Sequence, residues 1–438
     1  MADLYPVRPI SREEFGAFRH VAEHAFNGGP PSSPERLRLS LALFEPERSL
    51  AAFDLVAGSA DAGVLARDGE IVGTAGAFSF QMAVPGAVIP VAGVSYVGVM
   101  PTHRRRGIAR TLMTRQLQDI AARGSEAVAA LWASEATLYG RYGYGRASSI
   151  AYFRLGRGEG TLAVPGDPSL TLRLVPPADA LAELTRVYDA VLPTHPGFFA
   201  RDDRWWGRVL IDPEAERGGA GPLRCLLASD SSGPRGYALY RAHDRWDDSE
   251  SLPNNLIRIR ELVAVDPAAG AALWRDLLSR DLVGEIVAPD RPADDPLLYQ
   301  LADPRRARPA MSDGLWVRVV DLPRALAARA YSCPVDVVLE VRDEILPANA
   351  GRWRLRASGP VKSASTAAGE AGSVTCERTY EPADVALDIR ELGAAYLGGT
   401  RLGALAAAGL VTEDRAGTLA RLSAAMSWDP VPWCPMIF

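Results

Sequence analysis

The clearest pattern of apolar and polar positions lies between residues 94 and 123. The segment VSYVGVMPTHRRRGIARTLM, residues 94–113, begins as an apolar run, continues as three arginines and a glycine, and then changes its period. After the glycine, the apolar residues recur at the spacing of one helix face: Ile108, Leu112, Leu117 and Ile120. The pattern predicts a strand, a basic loop, and a helix that runs to about Arg123.

A similar pattern occurs a second time in the chain. The stretches LYPVRPISREEFGAFRHVAEHAF and LRLVPPADALAELTRVYDAVL each combine a short apolar run, a proline and an amphipathic helix pattern. Further on, YVGVMP and GIARTLM in the first copy correspond to LVAVDP and GAALWRDLL in the second. The separation along the chain is nearly the same as that between the two opening stretches. This predicts a duplicated strand and helix arrangement. The first copy has THRRR between Pro101 and Gly107, whereas the second has only AA between Pro267 and Gly270, so only the first kept a loop fit for an anion.

Two breaks in the periodicity divide the chain of 438 residues into three parts. Residues 156–169 are rich in glycine and proline, and a less clean break runs through residues 288–314. We therefore predict domains at residues 1–158, 159–305 and 306–438, each of ordinary domain size.

Composition and charge limit the function of the basic loop. The chain is 48% hydrophobic and 23% charged, with a net charge of −5 at pH 7, which is typical of a globular protein and unfavourable for nucleic acid. The opening residues lack a signal-peptide pattern, and the longest apolar run, residues 402–411, is too short to span a bilayer. Four separated cysteines give no metal signature. We expect a cytoplasmic protein without a metal, nucleic-acid or membrane partner.

The basic loop precedes the predicted helix, which favours the binding of a phosphate group. The free N–H groups and the dipole of a first helical turn attract anions. Gly107 and Ala109 would let a pyrophosphate approach these groups closely, and neighbouring arginines would add bidentate contacts. A solvated basic turn is the alternative interpretation.

Two other motifs favour a structural role. Residues 20–24 fit the H-x-x-E-H pattern of zinc peptidases, but they fall on the first predicted helix, and the second copy has no ligands there. We interpret them as a helix surface. The Trp205-Trp206 pair is typical of a core.

Three segments resemble one known family. Residues 104–109, RRRGIA, match the R/Q-x-x-G-x-G/A motif of the GNAT acetyltransferases, and LWASEATLYGRYGYGRAS, residues 131–148, resembles the Eis (enhanced intracellular survival) aminoglycoside acetyltransferases. SDGLWVRVVDLPRALAARAY and YLGGTRLGALAAAG also look like Eis sequences. The resemblance implies two tandem GNAT-like domains of α/β type, then a sterol-carrier-protein-like α+β domain, assembled as a homo-hexamer. It implies an acetyl-CoA-dependent N-acetyltransferase of primary amines, most simply aminoglycosides.

The resemblance also implies where acetyl-CoA binds. The backbone of Val97, Gly98 and Val99 would hold the pantetheine and polarise the acetyl carbonyl. The pyrophosphate would lie on the matched loop, and Ser134 would touch coenzyme A. The loop residues carried over are Arg104, Arg105, Gly107, Ile108 and Ala109.

The resemblance assigns the remaining chemistry to two catalytic residues and an acceptor pocket. Tyr139 would be the general acid, and the terminal carboxylate of Phe438 the general base. Phe26, Tyr96 and Trp206 would line the substrate pocket.

The sequence departs from the family in the acceptor pocket. Asn27-Gly28-Gly29 follows Phe26 without the expected aspartate, and Ile437 stands where a glutamate can occur. Fewer carboxylates would weaken the binding of a polycationic amine. Two alternatives therefore stay open: a lysine acetyltransferase of peptides or proteins, and a non-catalytic protein that binds an apolar ligand.

Overall fold

The computed structural model describes residues 4–28, 33–55, 69–246, 252–359 and 373–438. Its strands are β1 (Val7–Pro9), β2 (Leu50–Asp54), β3 (Glu70–Val84), β4 (Ala87–Val99), β5 (Val128–Trp132), β6 (Gly145–Arg146), β7 (Ser149–Gly156), β8 (Thr171–Val175), β9 (Arg224–Asp230), β10 (Gly233–His243), β11 (Asn255–Ala264), β12 (Val283–Pro292), β13 (Ala310–Asp313), β14 (Leu315–Val319), β15 (Val335–Arg342), β16 (Gly351–Ala357), β17 (Val374–Arg378), β18 (Val385–Asp388) and β19 (Val411–Glu413). Its helices are α1 (Phe15–Ala25), α2 (Pro34–Leu43), α3 (Ile108–Arg123), α4 (Ala136–Tyr139), α5 (Leu181–Val191), α6 (Asp203–Leu210), α7 (Pro267–Leu278), α8 (Leu297–Gln300), α9 (Leu322–Ala327), α10 (Ile389–Ala395), α11 (Leu402–Ala407) and α12 (Thr418–Met426).

The described strands form three mixed sheets. The first has the order β1-β2-β3-β4-β5-β14-β6, the second β13-β7-β12-β11-β10-β9-β8, and the third β17-β16-β15-β18-β19. In the first sheet the parallel strands β4 and β5 are joined through α3, and in the second β11 and β12 are joined through α7. The predicted duplication is confirmed by this repeated strand, helix and strand unit.

The helix α3 begins and ends where the sequence predicts. Gly107 precedes it with a φ of 83°, and Gly124 follows it with a φ of 67°. Both values lie in the left-handed region, which glycine adopts without the strain of a side chain. The helix buries Ile108, Leu112 and Leu117 against the first sheet.

The first two sheets exchange strands along the chain. β7 follows the first sheet in sequence but joins the second, where it pairs with β12 and β13. β14 follows the second sheet in sequence but enters the first, between β5 and β6. The chain therefore crosses between the two sheets twice, and the boundaries placed after residues 158 and 305 remain predictions.

The third sheet packs against the first through α10. A Cβ atom on Gly393 of α10 would lie 2.3 Å from the Val317 carbonyl oxygen, and one on Gly145 would lie 2.0 Å from the Arg390 carbonyl oxygen. Glycine at both positions permits this close approach. One hydrophobic cluster consequently joins β4, β5 and β14 to the third sheet and to Met436 near the chain end.

Candidate active site

A wedge opens between β4 and β5 in the first sheet. The two strands pair only at Val91 with Val128, Ala92 with Ala129 and Gly93 with Ala130. Beyond Gly93, β4 stays paired with β3 as far as Val99. The edge of β4 that faces β5 therefore leaves main-chain groups open to a ligand over Val97, Gly98 and Val99.

A β-bulge at Tyr96 shapes this edge. The register of β3 and β4 shifts between Thr74 and Gly76, and Tyr96 has a φ of 54°. The Thr74 hydroxyl donates a hydrogen bond of 2.7 Å to the Tyr96 carbonyl and holds this conformation. A bulge re-aims side chains and main-chain groups, and it is frequent next to active sites.

The basic loop lies at the N-terminus of α3, as the sequence predicts. Among the described residues no side chain caps this helix, so the N–H groups of Ile108 and Ala109 have no side-chain partner there. A Cβ atom placed on Gly107 would meet nothing within 4 Å, so the space in front of the helix is open. Arg104 and Arg105 are exposed beside it, and the Arg104 guanidinium donates to the Ala25 carbonyl over 3.3 Å. Such a loop has the donors that a pyrophosphate requires.

Tyr139 is buried at the end of α4. Its ring lies 6.2 Å from that of Tyr144, and the side chain of Ser134, which is itself exposed, lies near enough to act on its hydroxyl. Burial raises the pKa of Tyr139, and the Ser134 side chain opposes this shift. The phenol therefore keeps its proton at neutral pH.

The last residues of the chain bridge the two arms of the wedge. The Ser95 hydroxyl on β4 donates to the main-chain oxygen of Phe438 over 3.1 Å, and the Trp132 indole on β5 donates to the Met436 carbonyl over 2.9 Å. The Phe438 ring packs 5.0 Å from that of Phe80 and 5.1 Å from that of Phe199, between centroids. These contacts hold the end of the chain inside the first domain.

The three predicted pocket residues lie in different environments. Tyr96 packs its ring against Phe18 at 5.8 Å and Phe78 at 6.1 Å, beside the wedge. Phe26 follows α1 and is exposed. Trp206 is 1% exposed in the core of the second domain, so the structure does not bring it to the wedge.

Trp205 lies beside the wedge, in the place that the family resemblance implied for Trp206. Its ring lies 5.1 Å from Phe78 and 4.9 Å from Phe80. Adjacent residues of a helix point about 100° apart, so only one of the pair can face the first domain. Ile437 is exposed, and Gly29 lies outside the described residues.

The corresponding wedge of the second sheet is partly closed by side chains, and a cavity of about 230 Å³ remains beside them. β11 and β12 pair only between Asn255 and Arg258, and the Arg291 guanidinium then donates across the gap to the Leu262 carbonyl over 2.6 Å. The guanidinium also lies 5.0 Å from the ring of Trp433, whose indole donates to the Asp290 carbonyl. At α7 the carboxylate of Asp266 caps the helix, so a negative charge is already present there.

Two features were not found in the described part of the chain: a helix with the length and hydropathy of a membrane span, and a group of three or more His, Cys, Asp or Glu side chains that could hold a metal ion. His20 and His24 lie on α1 with ring centroids 4.1 Å apart, and Glu23 between them pairs with Arg19.

Comparison with known families agrees with this architecture. Residues 6–147 and residues 197–319 each match an acetyltransferase (GNAT) domain, and residues 322–435 match a sterol carrier protein domain. The chain is therefore an N-acetyltransferase of the GNAT class, and the predicted fold, two GNAT-like domains followed by a sterol-carrier-like domain, is confirmed. The GNAT domains imply acetyl-CoA as the co-substrate.

Whole-chain relatives identify the family. An uncharacterized N-acetyltransferase of Streptomyces coelicolor is 43% identical over 98% of each chain, and the N-acetyltransferase Eis of Mycobacterium tuberculosis is 36% identical over 84% of this chain and 87% of its own. The crystal structure of Eis1 from Mycobacterium abscessus, 34% identical, superposes over 99% of this chain and 100% of its own with a TM-score of 0.77. The protein belongs to the Eis family of N-acetyltransferases.

Proposed function

We propose that the first domain transfers the acetyl group of acetyl-CoA to a primary amine, with the α-carboxylate of Phe438 as general base. The observation that carries this proposal is the end of the chain, which is bonded to both arms of the wedge by Ser95 and Trp132. A group fixed between the arms lies where a thioester on the open edge of β4 would meet an amine.

The donor side of the reaction uses the main chain and the basic loop. The pyrophosphate binds to the N–H groups of Ile108 and Ala109 with Arg104 and Arg105 beside them, and Ser134 contacts coenzyme A. The pantetheine lies along the open edge of β4, where an N–H group polarises the acetyl carbonyl.

The acceptor side requires two proton transfers. The carboxylate of Phe438 accepts a proton from the ammonium form, and the free amine attacks the acetyl carbon. The C–N bond forms, the C–S bond breaks, and the phenol of Tyr139 supplies its proton to the departing thiolate. A carboxyl group is ordinarily too acidic to be an efficient base, so this role depends on the fixed position of the carboxylate between the two arms of the wedge.

A panel of amines tests the function. Purified protein and acetyl-CoA are mixed with an aminoglycoside, a lysine peptide and simple primary amines that carry negative, neutral or positive groups, and the free thiol is measured. Thiol release that depends on the amine supports the proposal. Release with lysine peptides alone would favour a peptide acetyltransferase, and release with none would favour a binding protein. A homo-hexamer, which the family resemblance implies, and a cytoplasmic location, which the sequence predicts, belong to the same proposal.

Replacing Arg104 and Arg105 by alanine should raise the KM for acetyl-CoA about tenfold or more and leave kcat nearly unchanged. Both side chains would contact the pyrophosphate equally in the ground state and in the transition state. Such contacts lower the KM for acetyl-CoA and leave kcat unchanged. Steady-state kinetics with acetyl-CoA as the varied substrate measures this. Arg115→Ala, on the solvent side of the same helix, is the control, and unchanged cofactor kinetics in the double variant would remove the loop from the cofactor site.

Titration calorimetry should give one acetyl-CoA site per chain. The second wedge is crossed by the Arg291 guanidinium and packed by Trp433, and the Asp266 carboxylate occupies the position that a phosphate would need. The Arg104→Ala, Arg105→Ala variant serves as the control, because it should weaken that single site. A second site that survives in the variant would show that the second domain also binds the cofactor.

A further inference from the structure

Five arginines gather where α1 and α2 of the first domain meet the second domain. Arg208 on α6 and Arg260 on β11 are at the centre of this arginine cluster, and both are half-buried. The positive charges close enough to act on one or both of them are those of Arg19, Arg36 and Arg241. Like charges held together in a partly buried place repel one another unless anions compensate them.

The neighbouring carboxylates are shared with other arginines. Glu216 is bonded to Arg36 and to the Ser33 N–H, Asp212 is paired with Arg217 and Arg241, and Glu23 is paired with Arg19. Glu261, whose charge also acts on Arg260, is paired with Arg201. Within the described ranges, Arg208 and Arg260 form no ion pair with a carboxylate. The Arg260 guanidinium instead donates to the carbonyls of Ile211 and Arg208 at 3.5 Å and 3.3 Å.

Both guanidinium groups stay charged at neutral pH in spite of their surroundings. Burial, together with the charges of Arg36 and Arg19, lowers the pKa of Arg208. Burial, with the charge of Arg241, lowers the pKa of Arg260 to about 10. A charged group without a counter-ion in a partly desolvated place costs free energy, so an anionic ligand would be bound favourably there.

This arginine cluster adjoins the acceptor side of the wedge. Arg208 is one helical turn after Trp205, and its charge acts on the hydroxyl of Tyr96. The aromatic rings between the cluster and the chain end are in contact with one another: Tyr96 with Phe78, Phe78 with Trp205, Trp205 with Phe80, and Phe80 with Phe438. This set of ring contacts connects the surroundings of Arg208 with those of Phe438.

We propose that the acceptor of this enzyme is an amine that also carries an acidic group, a carboxylate or a phosphate, bound by Arg208 and Arg260 while the amine lies at Phe438. The proposal rests on the acetyl-transfer function above. It replaces polycationic aminoglycosides as the preferred class, because the arginine cluster would repel additional ammonium groups. The aromatic rings suit an apolar segment between the amine and the acid.

Amines of one shape and different charge test this directly. The probes are 4-(aminomethyl)benzoate, its benzamide and benzamidine analogues, and 4-(aminomethyl)phenyl phosphate, each also as the biphenyl-lengthened homologue. We expect kcat/KM for a carboxylate or phosphate to exceed that of the matched amide about tenfold or more, with the amidine lowest. The two acids distinguish a carboxylate site from a phosphate site.

Variants assign the effect to the arginine cluster. Arg208→Gln and Arg260→Gln should each lower kcat/KM for the acidic probes about tenfold, and should thereby reduce the ratio of kcat/KM for an acid to that for its matched amide. Arg204→Gln, on the same helix with a side chain that is 59% exposed, is the matched control. The melting temperature gives a readout that does not require turnover. The N-acetylated product of an acidic probe should raise the melting temperature of the native protein but not that of Arg208→Gln.

The possible outcomes distinguish a failure of this inference from a failure of the proposed acetyl transfer. If none of the amines, whatever its charge, causes thiol release, acetyl transfer itself would be contradicted. Transfer to an aminoglycoside or to the amidine in preference to every acid would overturn the inference and leave acetyl transfer intact. If a variant fails to fold, the order of the charge-matched probes on the native enzyme still decides.

Discussion

Removal of Phe438 should reduce the rate of acetyl transfer by about 10²-fold or more and leave acetyl-CoA binding unchanged. The deletion moves the terminal carboxylate back by one residue, away from the Ser95 hydroxyl, and removes the ring that packs on Phe80 and Phe199. A single glycine added after Phe438 should have a similar effect, because it turns the carboxylate into an amide. Thiol-release kinetics measures the loss, and calorimetry with acetyl-CoA tests the donor site.

The matched control for this loss is Phe438→Ala, which keeps a carboxylate at the same position in the chain. It should lose less activity than the deletion, since only the aromatic packing is removed. The oligomeric state should be the same in all three variants, whereas the melting temperature should fall in the two that lack the Phe438 ring. Normal turnover by the enzyme with the added glycine would mean that the base lies elsewhere.

Tyr139→Phe should lower kcat about 10²-fold or more with little change in stability. The substitution keeps the buried ring and removes the proton that the departing thiolate requires. Because burial raises the pKa of this phenol above its usual value of 10.0, the native enzyme should lose no activity through its ionisation in neutral or mildly alkaline buffer. A pH profile of kcat, measured on the native protein and the variant, checks both statements.

Tyr144 offers a matched control for the phenol. It is fully buried next to Tyr139, and its hydroxyl has no hydrogen-bond partner within the part of the chain that the structure describes. Tyr144→Phe should therefore retain kcat and be at least as stable, because an unsatisfied buried hydroxyl is removed. Equal activity in Tyr139→Phe and Tyr144→Phe would leave the general acid unassigned.

The features that sequence predicted well depend on local signals. The bounds of α3 follow from apolar residues at helical spacing and from a glycine at each end, and the duplication follows from two landmarks at one offset. The strand exchange has no such signal. β14 is a short apolar run that could pair in either sheet, and its place between β5 and β6 is decided by distant partners.

The same distinction applies to the candidate site. The proposed donor side is built mainly from one continuous segment, residues 97–109, so a motif reveals most of it, and only Ser134 comes from elsewhere. The acceptor side is built from arginines on separate elements, and no spacing in the sequence relates Arg208 to Arg260 or to Arg19. The choice between Trp205 and Trp206 likewise depends on how α6 is rotated against the first domain, which only packing determines.

The position of β14 has a consequence for biosynthesis. The ribosome releases β5 and β6 well before the strand that separates them, so the edge of β5 has no partner on that side until residue 319 has emerged. An unpaired strand edge is a site of aggregation, and pairing between distant segments is slow. The first domain, although first in the sequence, is therefore completed only after the whole second domain has been synthesised, and the nascent chain must protect that open edge in the meantime.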